Sequence, residues 1–295
     1  MKKNSQKSFL RNPYAIVTLI LLSLYVLSLL FPTVWGLWTA TKSNIDYLGN
    51  PLGLPKTWHF DNFLVALNEY KVPVFKGGSS YDCYIETLLL YSLLYAGGSA
   101  FFAALTCCIT AYATAKFDFK FSKIVYGAVL LTMTLPIVGS LPSEIQMIKA
   151  LGLYDSIVGM WVLKANFLGL YYLVFFATFR SMPKDYSEAA YIDGASNLVV
   201  LVRIALPLIR NIFLTVVLIR FIEFWNDYTV NVTYMPSYPT LAYGLYEYSM
   251  ANRPKINNTP MQLAGCFILV IPILIVFIFA HDRMMSNLSM GGVKE

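Results

Sequence analysis

Long apolar runs alternate with short polar intervals along almost the whole chain. A bilayer core of about 30 Å takes ~20 apolar residues in a helix. Six runs approach or exceed that length: 14–38, 87–115, 124–141, 157–179, 211–233 and 261–280. This pattern predicts an all-α integral membrane protein, a six-helix bundle formed by residues 1–295 as one transmembrane domain. Between the fourth and fifth runs lies DYSEAAYIDGASNLVVLVRIALP, residues 185–207, the most polar-punctuated internal segment.

That segment reads as two short helices with a break between them. Asp185 and Glu188 have the spacing of a capping box, in which each side chain satisfies an unpaired backbone N–H. Ala189 and Ala190 leave one face of the first helix flat. Gly194 supplies the left-handed backbone that ends a helix. Ser196 is placed to cap a second helix, 197–206, and Pro207 stands where a membrane-crossing helix can begin. A capped knob between spans has the form of a docking element.

The residues at fixed intervals carry a resemblance. Glu188-Ala189-Ala190, then Gly194, then Ile204-Ala205-Leu206-Pro207 resembles the EAA loop of ABC importer permeases at each spaced position, and Asp193 and Ala195 also fit. The resemblance implies that these residues dock in a cleft of a separate cytoplasmic ATPase. It implies a second permease subunit, as a heterodimer, two ATPase subunits and an extracytoplasmic sugar-binding protein as partners. ATP and magnesium would then sit on the ATPase, and this chain would bind no cofactor of its own.

Composition agrees with the membrane reading. Apolar residues make up 57% and charged residues 13%, against about 25% charge in soluble domains. The net charge of +6 comes from basic residues at span ends, so a nucleic-acid partner has no support. Lys2, Lys3, Lys7, Arg11, Lys116, Lys120, Lys123, Arg180, Lys184, Arg203, Arg210, Arg283 and Lys294 fall on one side. By the positive-inside rule both termini and the 185–207 loop are cytoplasmic, and the resemblance implies a multi-pass protein of the bacterial cytoplasmic membrane. The first run is too long for a signal-peptide core and is read as a retained span. Cys83, Cys107, Cys108 and Cys266 form no framework and are expected to be reduced.

Charges inside the spans mark candidate chemistry. Arg220, Glu223 and Asp227 fall at i, i+3 and i+7, on one helical face. Lys164 of the fourth run lies at nearly the depth of Glu223, so pairs with Glu223 or Asp227 are within reach. Such charges are costly at membrane depth and face a bundle interior or a wet cavity. Lys164, Asn166, Arg220, Glu223, Asn226 and Asp227 are the candidate pathway residues, with an internal charge pair as the alternative. Pro136, Gly139 and Pro142 predict a bend or unwinding in the third span. Trp225-Asn226-Asp227 resembles a signature of carbohydrate permeases of the maltose type, as do LPKTWHFDNFLVAL outside the first span and the NLSMGGVKE tail.

External segment 41–86 is too long for a simple turn, and its His59 reads as a surface histidine. The last external loop holds Tyr238, Tyr243, Tyr246 and Tyr248, residue types that stack on sugar rings and also line membrane interfaces. The resemblance brings Tyr246, Tyr248 and Arg253 toward a binding protein. No GxxxxGK[ST] stretch occurs, so the chain has no phosphate-cradling loop of that kind. With only His59 and His281, an intramembrane metalloprotease has no support. The expectation is a non-catalytic permease subunit of an ATP-driven carbohydrate importer. The alternatives are a permease for another solute, or a channel or scaffold without ATP coupling.

Overall fold

The computed structural model describes residues 13–288 except 118, 136–138 and 252. Among these, four helices are long and apolar enough to cross a bilayer: Pro13–Ala40, Ile85–Lys116, Asn197–Trp225 and the stretch Thr259–Ile278. The chain divides into two compact units, 1–69 with 248–268 and 70–247 with 269–295.

The first unit begins with α1, Pro13–Ala40, whose apolar side chains are largely exposed and suited to lipid or to another subunit. Past it the chain folds tightly through α2, Asn44–Gly49, and α3, Asp61–Glu69. Lys42 is fully buried and donates to the carbonyls of Asn50 and Pro51 at 2.7 and 3.3 Å. Asn62 Nδ2 donates to the carbonyls of Ala40 and Lys42. Asn62 thus satisfies a carbonyl at the open end of α1, and the two Lys42 bonds offset the cost of burying an ammonium. Segment 41–86 is therefore ordered from its start, and His59 is partly exposed beside Thr57 and Asp61.

The second unit opens with a hairpin, β1 (Lys71–Lys76) and β2 (Ser79–Tyr84), in antiparallel register from Lys71↔Tyr84 to Lys76↔Ser79. Gly77 and Gly78, both at positive φ, form the two-residue turn that matches strand twist. The hairpin feeds α4, Ile85–Lys116, the axis of the unit. Its inner face is made of small residues, including Ser99, Ala100, Ala103, Ala104, Cys107, Cys108 and Ala111, all buried. Small side chains let neighbouring helix backbones approach closely, which is how helices associate in lipid.

The third apolar run unwinds as its prolines and glycine lead one to expect, while the fourth differs from the expected continuous helix. The third is α5, Ser122–Thr134, which stops where Leu135 turns extended and is followed by α6, Leu141–Ala150. Pro142 occupies the first turn of α6, where its missing N–H costs nothing. Pro136 lies outside the described residues. The fourth run breaks into α7, Ile157–Lys164, and α8, Leu170–Ser181. The chain between them holds Gly169, at φ 148°, and Asn166, whose Oδ1 accepts from the Leu168 N–H. That side-chain bond offers the backbone an alternative to helix.

After α8 come α9, Asp185–Ile192, and α10, Asn197–Trp225. The fifth apolar run was expected to extend to 233, but its helix ends at Trp225. A short α11, Thr229–Thr233, follows. Then come α12, Leu241–Met250, and α13, Thr259–Leu288. A core of Cys108, Tyr112, Phe175, Phe179, Leu201, Ala205 and Ile209 joins α4, α8 and α10. It lies directly under the EAA-like segment.

Candidate coupling and translocation sites

No residue of α9 is buried. Glu188, Ala189, Asp193 and Gly194 are exposed, and Ala190 and Ala195 half-buried. Ile192 is 86% exposed, an apolar side chain offered to a partner. The expected capping box does not form. Lys184 holds the cap position, Asp185 is already the first helical residue, and no side-chain cap bond is made. Asp185 and Glu188 instead place negative charge on the first turn, where the helix dipole favours it.

The C-terminal end follows the sequence closely. Ala195 N–H donates to the Ala190 carbonyl at 2.9 Å and Gly194 N–H to that of Tyr191 at 3.0 Å. This is the Schellman pair, and it requires the left-handed backbone that Gly194 adopts at φ +77°. Ser196 then caps α10, its side chain accepting from the Val199 N–H. The second short helix and the membrane helix are one element rather than two. Leu201–Ala205 forms a single wide turn in which Leu206 N–H reaches back to the Leu201 carbonyl. A proline at 207 would crowd the Arg203 carbonyl in a regular helix, and the wide turn relieves that crowding. Ile204 and Leu206 are half-buried and Pro207 exposed, while Ala205 is buried in the core beneath the knob.

The charged face of α10 resolves into two clusters. In the first, Glu223 accepts from Arg220 Nη1 and from the Tyr171 hydroxyl, each at 2.9 Å. The Arg220 guanidinium also covers the Tyr171 ring at 4.7 Å. In the second, Asp227 meets Lys164 at 3.6 Å, each side chain about three-quarters covered. Its Oδ2 also accepts from the Tyr95 hydroxyl at 3.3 Å. The other oxygen, Oδ1, accepts from Thr229 Oγ1 at 2.6 Å and from the Thr229 and Val230 N–H groups, starting α11. Lys164 thus pairs with Asp227 and not Glu223. Asn226 folds back on the Ile222 carbonyl, and the Asn166 backbone carbonyl accepts from Cys107 Sγ.

Tyr95, Tyr171 and Thr229 complete these clusters and were not anticipated from the sequence. Tyr95 was detectable as the one large hydroxyl-bearing residue in a stretch of small ones, LYAGGSAFFAAL.

In the segment after α11, Tyr246 stacks between Tyr228 and Tyr243, with centroids at 5.0 and 6.1 Å. Tyr248 is buried, its hydroxyl donating to the Met261 carbonyl, so it presents no surface. Arg253 Nη1 donates to the Glu69 carbonyl at 2.7 Å and meets its carboxylate at 3.3 Å. Lys255 and then Arg253 hold the Glu69 carboxyl below the usual range.

The model of the family described as binding-protein-dependent transport system inner membrane component matches residues 104–289. The diacetylchitobiose uptake system permease protein NgcG of Streptomyces coelicolor is 25% identical over 282 residues, covering 94% of this chain and 88% of that protein. The arabinooligosaccharides transport system permease protein AraQ of Bacillus subtilis is 26% identical over 287 residues, covering 95% and 96%. A bacterial ABC transporter involved in the import of the acidic polysaccharide alginate contains a chain that superposes with TM-score 0.70 at 21% identity, covering 91% of this chain and 95% of that one. At that identity the shared property is the fold. On the family match, supported by the apolar helices, the chain is a multi-pass transport subunit of the bacterial cytoplasmic membrane, and it belongs to the binding-protein-dependent transport system inner membrane component family.

Proposed function

We propose that this chain is a permease subunit of an ATP-driven carbohydrate importer. It forms half of the translocation path, pairs with a second, non-identical permease and is driven by two separate ATPase subunits. The observation that carries the coupling role is α9. It is a helix with no buried residue, ended by the Schellman turn at Gly194 and rooted through Ala205 in the core between α4, α8 and α10. Force applied to that knob passes to three helices at once. Glu188, Ala189, Ala190, Asp193, Gly194, Ala195, Ile204, Leu206 and Pro207 are its docking residues.

The chain itself catalyses nothing in this reading; ATP and magnesium belong to the ATPases. It crosses the membrane six times with both termini in the cytoplasm, the third and fourth crossings being broken helices. Broken helices at membrane depth are tolerated where protein or a wet cavity covers the freed backbone, and such breaks commonly build transport sites. Lys164 and Asp227, at the ends of α7 and α10, lie nearest that path with Asn166 and Asn226. Arg220 and Glu223 hold α10 to α8. An extracytoplasmic binding protein delivers the sugar to the outer face, where Tyr246 and Arg253 are candidate contacts.

The carbohydrate assignment draws on the cargo named for NgcG and AraQ. Reconstituted vesicles holding the complete transporter test it. ATP-dependent uptake of an oligosaccharide, with no uptake of a peptide or amino acid under the same conditions, is the expected result. Uptake of the amino acid alone would overturn it.

A further inference from the structure

Beside the docking helix lies a cavity of about 520 Å³ between the end of α4, the end of α8 and α9. Lys116, Arg180 and Lys184 line it against one carboxylate, Glu188. Lys116 Nζ donates to the Met182 carbonyl at 2.9 Å, which fixes the back wall. Arg180 and Lys184 are exposed at its mouth. Arg180 also borders a second concavity of about 480 Å³, whose other walls include Tyr126, Leu173, Phe176 and Ala177. Its guanidinium lies 5.8 Å from the Phe176 ring, at the junction of the two. A basic cup and an apolar groove therefore meet at one side chain.

We propose that this pair of concavities is a binding site for one anionic phospholipid. Its phosphate sits against Arg180, Lys184 and Lys116, and an acyl chain lies along Tyr126, Leu173, Phe176 and Ala177. Charge complementarity selects the headgroup, since basic pockets at the cytoplasmic ends of membrane helices attract anionic lipids. A free anion would leave the adjoining groove unused, and a neutral lipid would leave two exposed cations unmatched. The bound headgroup would brace Lys184, which caps α9, and so link membrane composition to the position of the docking helix. The inference rests on the proposed placement of this end at the cytoplasmic membrane surface.

The test is lipid retention measured by native mass spectrometry on the protein purified in detergent with its accompanying subunits. Phosphatidylglycerol should be retained at least ~10-fold over phosphatidylcholine of the same chains. Arg180→Gln with Lys184→Gln should abolish that preference while the ATPase subunits remain attached. Ala177→Trp, which fills the groove and leaves the charges, should weaken retention independently and decides the matter if the double variant does not accumulate. Equal retention of both lipids, or an unchanged preference in the variants, overturns the proposal. Displacement by inorganic phosphate as effective as by added phosphatidylglycerol assigns the cup to a free anion. Cross-linking of Ala177→Cys to a neighbouring permease assigns the groove to protein. Loss of the ATPases from the unmodified protein would instead count against the docking role and leave the lipid readout intact.

Discussion

Lys164 Nζ lies 3.6 Å from Asp227 Oδ2, tying the last residue of α7 to the second residue beyond the end of α10. The same carboxylate begins α11 through its other oxygen. Asp227 thus has two separable duties, and the two oxygens divide them.

Asp227→Asn keeps an acceptor for the α11 bonds and removes the charge opposite Lys164. Normal yield with uptake per assembled complex reduced ~10-fold or more is expected. Asp227→Ala loses both duties and should lower yield as well, a lost helix-start acceptor alone costing about 1 kcal/mol. Lys164→Met with Asp227→Asn, which keeps that acceptor and leaves no unpaired charge, should hold yield but not restore uptake. Uptake recovered in full by that double change would make the pair purely structural.

A close approach rather than a charge governs the packing of α4 on α7. A Cβ added at Gly98 would fall 2.2 Å from Trp161 Nε1, the atom that donates to the Leu94 carbonyl. Gly98→Ala should therefore cost about 1–3 kcal/mol through overpacking, read as a lower midpoint in thermal unfolding of the detergent-solubilised protein. Trp161→Leu in the same chain should return part of the loss. An unchanged midpoint for Gly98→Ala would show that the Trp161 ring can move aside.

Glu69 joins the segment after α12 to the end of α3 through Lys255 and Arg253. Its carboxyl is held below the usual range, so the folded state binds its proton less readily than the unfolded chain. The stabilisation is present above the unfolded carboxylate value of about 4.3 and is lost as pH falls through the lower folded one. Hydrogen exchange in 248–258 should be flat from pH 8 to about 5, after correction for intrinsic rates, and rise in more acid solution. Glu69→Gln should show the faster exchange already at neutral pH. A rise centred near pH 7 would require a different titrating group.

The proposed six crossings would put the β1–β2 turn outside and α9 inside. A cysteine at Ser80 should react with an impermeant reagent on intact cells, and one at Ile192 only in inverted vesicles. External labelling of Ile192→Cys would require an odd number of crossings before α9 or the reverse orientation.

The docking knob was the most legible part of the chain. Gly194, Ser196 and the alanine face act through local backbone geometry, which residue type and spacing encode directly. The capping box failed because its spacing is right one residue too late, with Asp185 already inside the helix. The break after Leu135 was signalled by Pro136, Gly139 and Pro142, whereas the one at 165–169 was hidden by an apolar run whose composition is the same in a broken helix as in a straight one. Only the Leu168–Asn166 bond and the turn at Gly169 set the second break, and neither changes hydrophobicity. Tyr248 illustrates a different limit. A tyrosine at a membrane interface and one buried against a carbonyl carry the same sequence signal, and only the packing partner, Met261, separates them. The hairpin was legible in principle, since Gly77-Gly78 between alternating residues is a strong turn signal.

The proposed coupling role depends on α9. The most direct measurement is the amount of ATPase subunit recovered per permease, with substrate-stimulated ATP hydrolysis, for Gly194→Val. A β-branched side chain at φ +77° strains the Schellman turn and misaims the knob without touching the membrane helices. The expected result is normal membrane yield, at least ~10-fold less ATPase recovered and no stimulated hydrolysis. Full recovery of the ATPase with undiminished stimulation would contradict the coupling role of this segment.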